Sequence, residues 1–403
     1  MLKGKTIVLG VTGGIAAYKA VYLISALKKQ NANVHVIMTE HAAEFITPLT
    51  FETRSGNRCI VDMFEKHFEY DVKHISLAKA ADLMIIAPAT ANFIAKAANG
   101  IADDMLTTVF LAAKCPKLVA PAMNTAMYEN PATQANLERL AGYGIKIIEP
   151  DSGLLACGDE GKGKMPEHDV LLEHILDTIA FKKDMNGLKV LVTAGPTQEA
   201  IDPVRYITNH SSGKMGYALA RVCRMRGAEV ILVSGRTSLD APFGVKRVDV
   251  VSSQDMHDAV LEYAPSVDMI FKAAAVADYT PLEVADHKIK KQDGDMSILL
   301  KRTSDILADV AKIRRPDQVI CGFAMETENL IKNSRSKLKR KSLDMICANS
   351  LRTEGAGFQV DTNVVTLITA DDMTELGILS KAETAYRIVD KALELRSGKL
   401  VKA

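Results

Sequence analysis

The segment Thr6–Lys29, TIVLGVTGGIAAYKAVYLISALKK, constrains the fold of this chain more than any other stretch. An apolar run (Ile7, Val8, Leu9) breaks at Gly10, Gly13 and Gly14. Small or apolar residues then recur at Ala17, Ala20, Val21, Ile24 and Leu27. That pattern predicts a strand, a glycine turn and a helix with one stripe against a sheet. The first N–H groups of such a helix lack partners and its dipole presents a positive end, so phosphate is the natural guest. The same grammar returns at Gly187–Thr197 (GLKVLVTAGPT) and Ser211–Gly227 (SSGKMGYALARVCRMRG). Two anion-binding openings in 403 residues predict two α/β domains.

The first half alternates apolar strands with helical stretches. Strands are expected at Thr6–Gly10, Val34–Met38, Leu83–Ala87, Lys117–Ala120 and near Lys146–Ile148, with helices between them. Such alternation predicts a parallel, doubly wound sheet whose ligands sit beyond the C-terminal strand ends. Here those ends carry Gly10–Gly14, Thr39-Glu40, Pro88–Asn92 and Pro121–Asn124. Asp151–His168, DSGLLACGDEGKGKMPEH, is glycine-rich and polar, and reads either as a linker or as an active-site flap. A charged stretch, Phe181–Asn186, marks the expected junction, with domains at 1–181 and 188–403 and a linker at 182–187. A second set of strands follows at Leu188–Val192, Glu229–Ser234, Met269–Ala273, Val319–Phe323, Met345–Ala348 and Val364–Ile368.

Fifty Lys and Arg against 49 Asp and Glu leave a formal net charge of +1, so no field calls for nucleic acid or a membrane surface. No apolar run reaches the roughly 18–20 residues of a membrane span. The opening MLKGKTIVLG lacks the features of a signal peptide. Six scattered cysteines without CxxC pairs disfavour a metal cluster or a disulfide framework and point to a reducing cytoplasm.

The first glycine turn is GVTGG rather than GxGxxG. Glu40, after the second strand, suits a ribose, but the missing spacing weakens a dinucleotide reading. A mononucleotide, such as a flavin phosphate, fits a strand–turn–helix equally well. His74 in VKHISL, Asn124 in PAMNTAMY and Cys157 in ACGDEGKGKM are each compatible with a structural role taken singly.

Together they form a recognisable set. GGIAAYK, KHISL, PATAN and PAMNTAMY resemble the flavin-containing cysteine decarboxylases. TAGPTQEAIDPVRYITNHSSGKMG (Thr193–Gly216), AAVADY (Ala274–Tyr279) and KIKKQ (Lys288–Gln292) resemble phosphopantothenate–cysteine ligase. In this order, over nearly the whole chain, they resemble the bacterial bifunctional phosphopantothenoylcysteine decarboxylase/phosphopantothenate–cysteine ligases of coenzyme A biosynthesis. The fold this resemblance implies is two doubly wound Rossmann-like domains, the first a flavodoxin-like flavoprotein and the second the ligase.

The chemistry implied for the first half is oxidation of the substrate thiol to a thioaldehyde, which makes an electron sink, then loss of CO2 and re-reduction to 4′-phosphopantetheine, with FMN carrying the electrons. His74 matches the family's catalytic histidine, Asn124 the residue holding the substrate carboxylate, and Cys157 the proton donor of the last step. Gly13, Gly14, Thr39, Pro88, Ala89, Thr90 and Asn92 are the flavin-binding candidates. The second half is expected to activate 4′-phosphopantothenate with CTP as an acyl-cytidylate, which cysteine then attacks. Charge grows on phosphate in that step, so cations and Mg2+ are expected, with Asp278 as the metal candidate. Ala273, Ala274, Asp278, Lys288, Ser304, Asp305, Ile306, Leu307, Phe323, Lys337 and Lys341 match the nucleotide site. Asn209 matches the residue acting on the acyl-cytidylate, with Lys288 as a second catalytic candidate. Ser211, Ser212 and Gly213 are expected to bind phosphate, although SGK lacks the Walker spacing.

One loop departs from the family pattern: Thr303-Ser304-Asp305 stands where Asn-Pro-Asp is expected. The family also implies a homo-oligomer, a dodecamer built from decarboxylase trimers and ligase dimers, with no nucleic-acid or membrane partner. Three competing readings are a chain with one active half, a non-catalytic flavoprotein scaffold, and an NAD(P)-dependent dehydrogenase. The last accounts for neither Thr193–Gly216 nor the second nucleotide loop.

Overall fold

A computed structural model describes residues 1–63, 73–156, 158–291, 295–326, 329–350 and 362–402. The chain divides into two compact units, Met1–Lys182 and Lys183–Ala403.

In the first unit six strands form one sheet: β1 (Thr6–Val11), β2 (Asn33–Met38), β3 (Cys59–Ile60), β4 (Leu83–Ala89), β5 (Lys117–Pro121) and β6 (Lys146–Ile147). Their order is β3-β2-β1-β4-β5-β6, with every pair parallel. The chain winds outward in both directions from β1, so the crevice opens where β1 and β4 diverge. Both strands are buried on both faces, which is why they read as unbroken apolar runs rather than alternating ones. Helices α1 (Ala20–Lys29), α2 (Lys73–Ala80), α3 (Ala91–Ala98), α4 (Met105–Ala112) and α5 (His168–Ile179) flank this sheet. Asp104 starts α4 with a capping box, its Oδ1 accepting from the Thr107 N–H at 2.7 Å.

The glycine-rich segment expected as a loop contains an antiparallel hairpin, β7 (Asp151–Leu154) and β8 (Glu160–Lys164). Gly163, at φ +148, lets β8 press against the Pro121–Asn124 strand end: a Cβ there would fall on the Met123 carbonyl, and the Met123 N–H donates to Gly163 O at 3.1 Å. The hairpin is therefore docked, and Cys157, which falls between its two strands in sequence, lies outside the described residues.

The second unit repeats the plan. Its main sheet holds β9 (Lys189–Ala194), β12 (Glu229–Ser234), β13 (Lys246–Asp249), β14 (Met269–Lys272), β17 (Val319–Glu326), β18 (Met345–Ser350), β19 (Thr362–Ile368) and β20 (Met373–Ser380). Two small ribbons, β10 (Gln198–Ala200) with β11 (Tyr206–Thr208) and β15 (Tyr279–Pro281) with β16 (Leu300–Arg302), lie outside it. The order β13-β12-β9-β14-β17-β18 is parallel, and β19 and β20 extend it antiparallel. One apolar layer, around Val192 and Phe271, packs under α6 (Lys214–Met225). The other, around Leu191 and Ile270, packs under α7 (Ser253–Tyr263), α8 (Ile306–Ile313) and α9 (Leu330–Arg340). Each unit is thus a doubly wound, Rossmann-like α/β layer structure, as expected, but the first unit has the Rossmann strand order 3-2-1-4-5-6 and not the 2-1-3-4-5 order of the flavodoxin-like sheet expected for it.

The stretch 182–187, expected as a linker, instead packs into the second unit from Lys183 onward. Met185 is fully buried. Lys183 Nζ donates to Met225 O at 2.6 Å, and Asp184 accepts from Arg226 Nε and Nη2 at 2.9 and 2.7 Å. Of the charges in this stretch, Asp184 has the buried Arg226 guanidinium as its partner. No described helix is long and apolar enough to cross a membrane.

Candidate functional site

At the β1–β4 crevice several backbone turns meet. Thr12, buried at the end of β1, donates its hydroxyl to Pro88 O at 2.8 Å and accepts from the Thr90 N–H at 3.0 Å. Its side chain thereby locks the glycine turn to the end of β4, where the Ala87–Pro88 peptide is cis. Three expected site residues cap helices there. Thr39 Oγ1 accepts from the Ala42 N–H, Thr90 Oγ1 from the Phe93 N–H and Asn124 Oδ1 from the Ala126 N–H at 2.8 Å. Each cap sits on a strand end, so helix N-termini converge on one opening.

The N–H groups of Gly13, Gly14 and Ile15 have no acceptor among the described residues. Gly13 is required by close approach: a Cβ there would lie 2.5 Å from His41 Cβ, whereas Gly14 faces open space with Thr90 Cγ2 at 3.8 Å. Pro88 and Ala89 are buried, Thr90 is half-buried and Asn92 is exposed. Unpaired donors over an open glycine, with hydroxyl and amide groups around them, fit a phosphate-bearing flavin mononucleotide. His74 lies in the first turn of α2, half-buried, and α2 packs on α4. Asn124 Nδ2 donates to Asp159 Oδ2 at 2.7 Å, tying this strand end to the hairpin that carries Cys157.

In the second unit a pocket of about 950 Å3 opens over the C-terminal ends of β9, β14, β17 and β18. It gathers Asn209, Ser211, Ser212, Gly213, Ala273, Ala274, Asp278, Ser304, Asp305, Ile306, Leu307, Phe323, Lys337 and Lys341, all named from sequence. Gly213 caps α6 at φ +77, where its N–H donates to Ser211 Oγ at 3.3 Å. Asn209 Nδ2 donates to Ala275 O at 3.1 Å and Lys337 Nζ to Phe323 O at 2.9 Å. Lys341 pairs with Asp305, which also caps α8 by accepting from the Ala308 N–H.

The altered loop keeps a defined structure. Thr303 donates its N–H to Asp278 O at 3.0 Å and its hydroxyl to Ala277 O at 2.7 Å, so it anchors the AAVADY turn directly. Among the described residues no cluster of three or more His, Cys, Asp or Glu could hold a metal. A single carboxylate, Asp278, still suits Mg2+, which is commonly held by one or two carboxylates plus substrate phosphates.

Lys288 does not line this pocket; it is exposed on the segment between β15 and β16. Sequence reasoning also missed pocket residues. Lys272, Arg302, Asn349, Asn363 and Lys381 all contribute to the lining. The signal for Lys272 was available: a lysine closing an otherwise apolar buried strand, MIFK, cannot be there for packing alone.

Fold and site together define a two-unit α/β protein with a flavin-type anion turn in one unit and a cationic nucleotide-type pocket in the other. Residues 1–180 match the flavoprotein family model, and residues 185–395 match the DNA/pantothenate metabolism flavoprotein C-terminal domain. Coenzyme A biosynthesis bifunctional protein CoaBC of Bacillus subtilis (strain 168) is 48% identical over 404 residues, covering 99% of each chain. The protein of that name from Escherichia coli (strain K12) is 46% identical over 393 residues, covering 97% of each. The chain belongs to this family of bifunctional coenzyme A biosynthesis proteins. Among solved structures, the C-terminal domain of such a protein is 44% identical, covering 51% of this chain and 94% of that one, with a TM-score of 0.44. The FMN-dependent cysteine decarboxylase SpaF is 35% identical, covering 40% of this chain and 90% of that one, with a TM-score of 0.36.

Proposed function

We propose that residues 183–403 couple 4′-phosphopantothenate to cysteine at the expense of CTP, and that residues 1–182 decarboxylate the product, 4′-phosphopantothenoylcysteine, to 4′-phosphopantetheine. The observation that carries this reading is the pairing of two unlike anion sites. One is the Gly13–Ile15 turn, with unpaired N–H groups; the other is a pocket rich in lysine and arginine.

In the first unit Gly13, Gly14, Thr39, Pro88, Ala89, Thr90 and Asn92 hold FMN, which supplies a two-electron acceptor and donor for the cysteine-derived carbon. Asn124 binds the substrate carboxylate through its amide N–H, the donor that Asp159 engages in the structure. The substrate carboxylate therefore replaces one carboxylate with another, at little desolvation cost to the amide. His74 serves the proton transfers beside the reacting centre, and Cys157 returns the last proton. In the second unit Lys337, Lys341 and the Ser211–Gly213 turn hold the nucleotide and its phosphates. Asp278 holds Mg2+ with the phosphates, and Asn209 and Lys288 act on the activated carboxylate. The assembly proposed is a cytoplasmic homo-oligomer, a dodecamer of decarboxylase trimers and ligase dimers.

The two halves are tested separately on the full chain. Given 4′-phosphopantothenoylcysteine without nucleotide, the protein releases CO2 and forms 4′-phosphopantetheine, and His74→Asn abolishes both. Given 4′-phosphopantothenate, cysteine, Mg2+ and CTP, the His74→Asn variant accumulates 4′-phosphopantothenoylcysteine. Absence of the cysteine adduct there contradicts the ligase assignment; CO2 release undiminished by His74→Asn contradicts the role of His74.

A further inference from the structure

Lys272 is the last residue of β14, the strand beside β9 at the centre of the second sheet. Its Cα stands in register with Thr193 on one side and Gly322 on the other. That position puts it at the floor of the pocket, among the C-terminal strand ends where ligands of doubly wound sheets bind.

Its surroundings are unusual for a lysine. Among the described residues no carboxylate pairs with its ammonium and no side-chain or backbone acceptor takes a hydrogen bond from it, although pocket atoms pack closely around it. Lys337 and, less strongly, Lys341 repel it, and Asp278 attracts it. Burial first, and then the neighbouring lysines, push its pKa down to about 8 despite Asp278. The other cations of this corner are already engaged, Lys337 with Phe323 O and Lys341 with Asp305. Around the whole pocket seven lysines and arginines face two carboxylates, Asp278 and Asp305. A desolvated ammonium without a partner is costly, and a cationic corner makes it costlier. An arriving anion removes both penalties at once, which gives this residue a use that packing does not.

We propose that Lys272 is a direct ligand of the anionic phosphate oxygens of the nucleotide, completing a cation set with Lys337 and Lys341. The inference rests on reading this pocket as the nucleotide site and adds to that reading a binding residue on the sheet itself. A charge-assisted hydrogen bond to phosphate, made in a desolvated pocket, contributes enough to change affinity by roughly 10- to 100-fold.

The test is calorimetric titration of the full chain and of Lys272→Met, Lys272→Gln and Lys272→Arg with CTP, inorganic tripolyphosphate and uncharged cytidine. Lys272→Met and Lys272→Gln should weaken CTP and tripolyphosphate by about tenfold or more while leaving cytidine unchanged, and Lys272→Arg should keep both polyanions within about threefold. Melting curves check folding, and the Met variant should melt no lower than wild type because it removes an unpaired desolvated charge. If either neutral variant folds and binds both polyanions as wild type does, the role of Lys272 is overturned and the nucleotide reading stands. If wild type binds tripolyphosphate through Lys272 but not CTP, the nucleotide reading falls and the anion role stands. If wild type binds neither, both fall.

Discussion

The Asp202 carboxylate and the Arg205 guanidinium form a clasp around the backbone N–H and C=O of one residue, Ile289. Arg205 Nη2 and Nε donate to Asp202 Oδ2 at 2.5 and 3.0 Å. Asp202 Oδ2 also accepts from the Ile289 N–H at 3.1 Å, while Arg205 Nη2 donates to Ile289 O at 2.8 Å. Asp202 is buried, and the Arg205 hydrogen bond followed by three backbone N–H donors holds its carboxyl far below the usual range. The clasp fixes the segment bearing Lys288, which the pocket itself does not position.

Asp202→Asn removes the ion pair and disturbs the Ile289 clasp, so it should lower ligase turnover by about 10- to 100-fold, the scale expected for misplacing a catalytic group by an ångström. CO2 release from 4′-phosphopantothenoylcysteine should not change, because the clasp lies wholly in the second unit. Steady-state assays of each half-reaction separate the two effects. Equal loss in both would show general destabilisation instead.

Asp159→Ala removes the carboxylate that accepts from the Asn124 amide, the competitor of the substrate carboxylate in this reading. Decarboxylation should then show a KM lowered a few-fold, with kcat falling if the hairpin also loses its dock on the Pro121–Asn124 end. A KM raised with kcat unchanged would mean that Asp159 contacts substrate directly.

Gly13→Ala forces a Cβ against His41, whose Cβ would be 2.5 Å away and whose backbone 3.0 Å away. Relief requires moving the turn, at roughly 1–3 kcal/mol. The purified variant should carry less flavin than wild type by visible absorbance, with ligase activity intact. Full flavin content would show that the turn is not part of the flavin cradle.

The fold was legible because both sheets advertise themselves: the central parallel strands are largely apolar runs, and β1, β4 and β9 end at glycine or proline turns. Much of the pocket of the second unit was legible too, since Asn209–Gly213, Ala273–Asp278 and Ser304–Leu307 are compact motif blocks. What escaped sequence reading depended on distant partners. The 182–187 stretch shows its charges but not the distant Arg226 that anchors Asp184 to the second unit. The hairpin at 151–164 hides because glycine, used there for positive φ and close backbone contact, also signals a loop. The edge strand β20 exposes most of its residues and therefore lacks the apolar signature of its neighbours.

His174 on α5 supplies the pH dependence. Burial, and then the nearby Lys146, push its pKa down to about 4, against an opposing pull from Asp177. A histidine whose folded pKa lies below its unfolded value stabilises the fold in its neutral form. That contribution is complete above about pH 6.5 and is lost as the pH falls from there toward 4. The melting temperature of the flavin unit in the full chain should fall over this window, and His174→Gln should flatten the fall. An unchanged pH profile in the variant would assign the acid sensitivity to other groups.

The most direct test of the whole account is a product assay on the purified chain with 4′-phosphopantothenate, cysteine, Mg2+ and CTP, read by mass spectrometry. The account predicts 4′-phosphopantetheine together with pyrophosphate and CO2. No cysteine adduct with CTP or any other nucleotide, from protein that is folded and flavin-loaded, would contradict it.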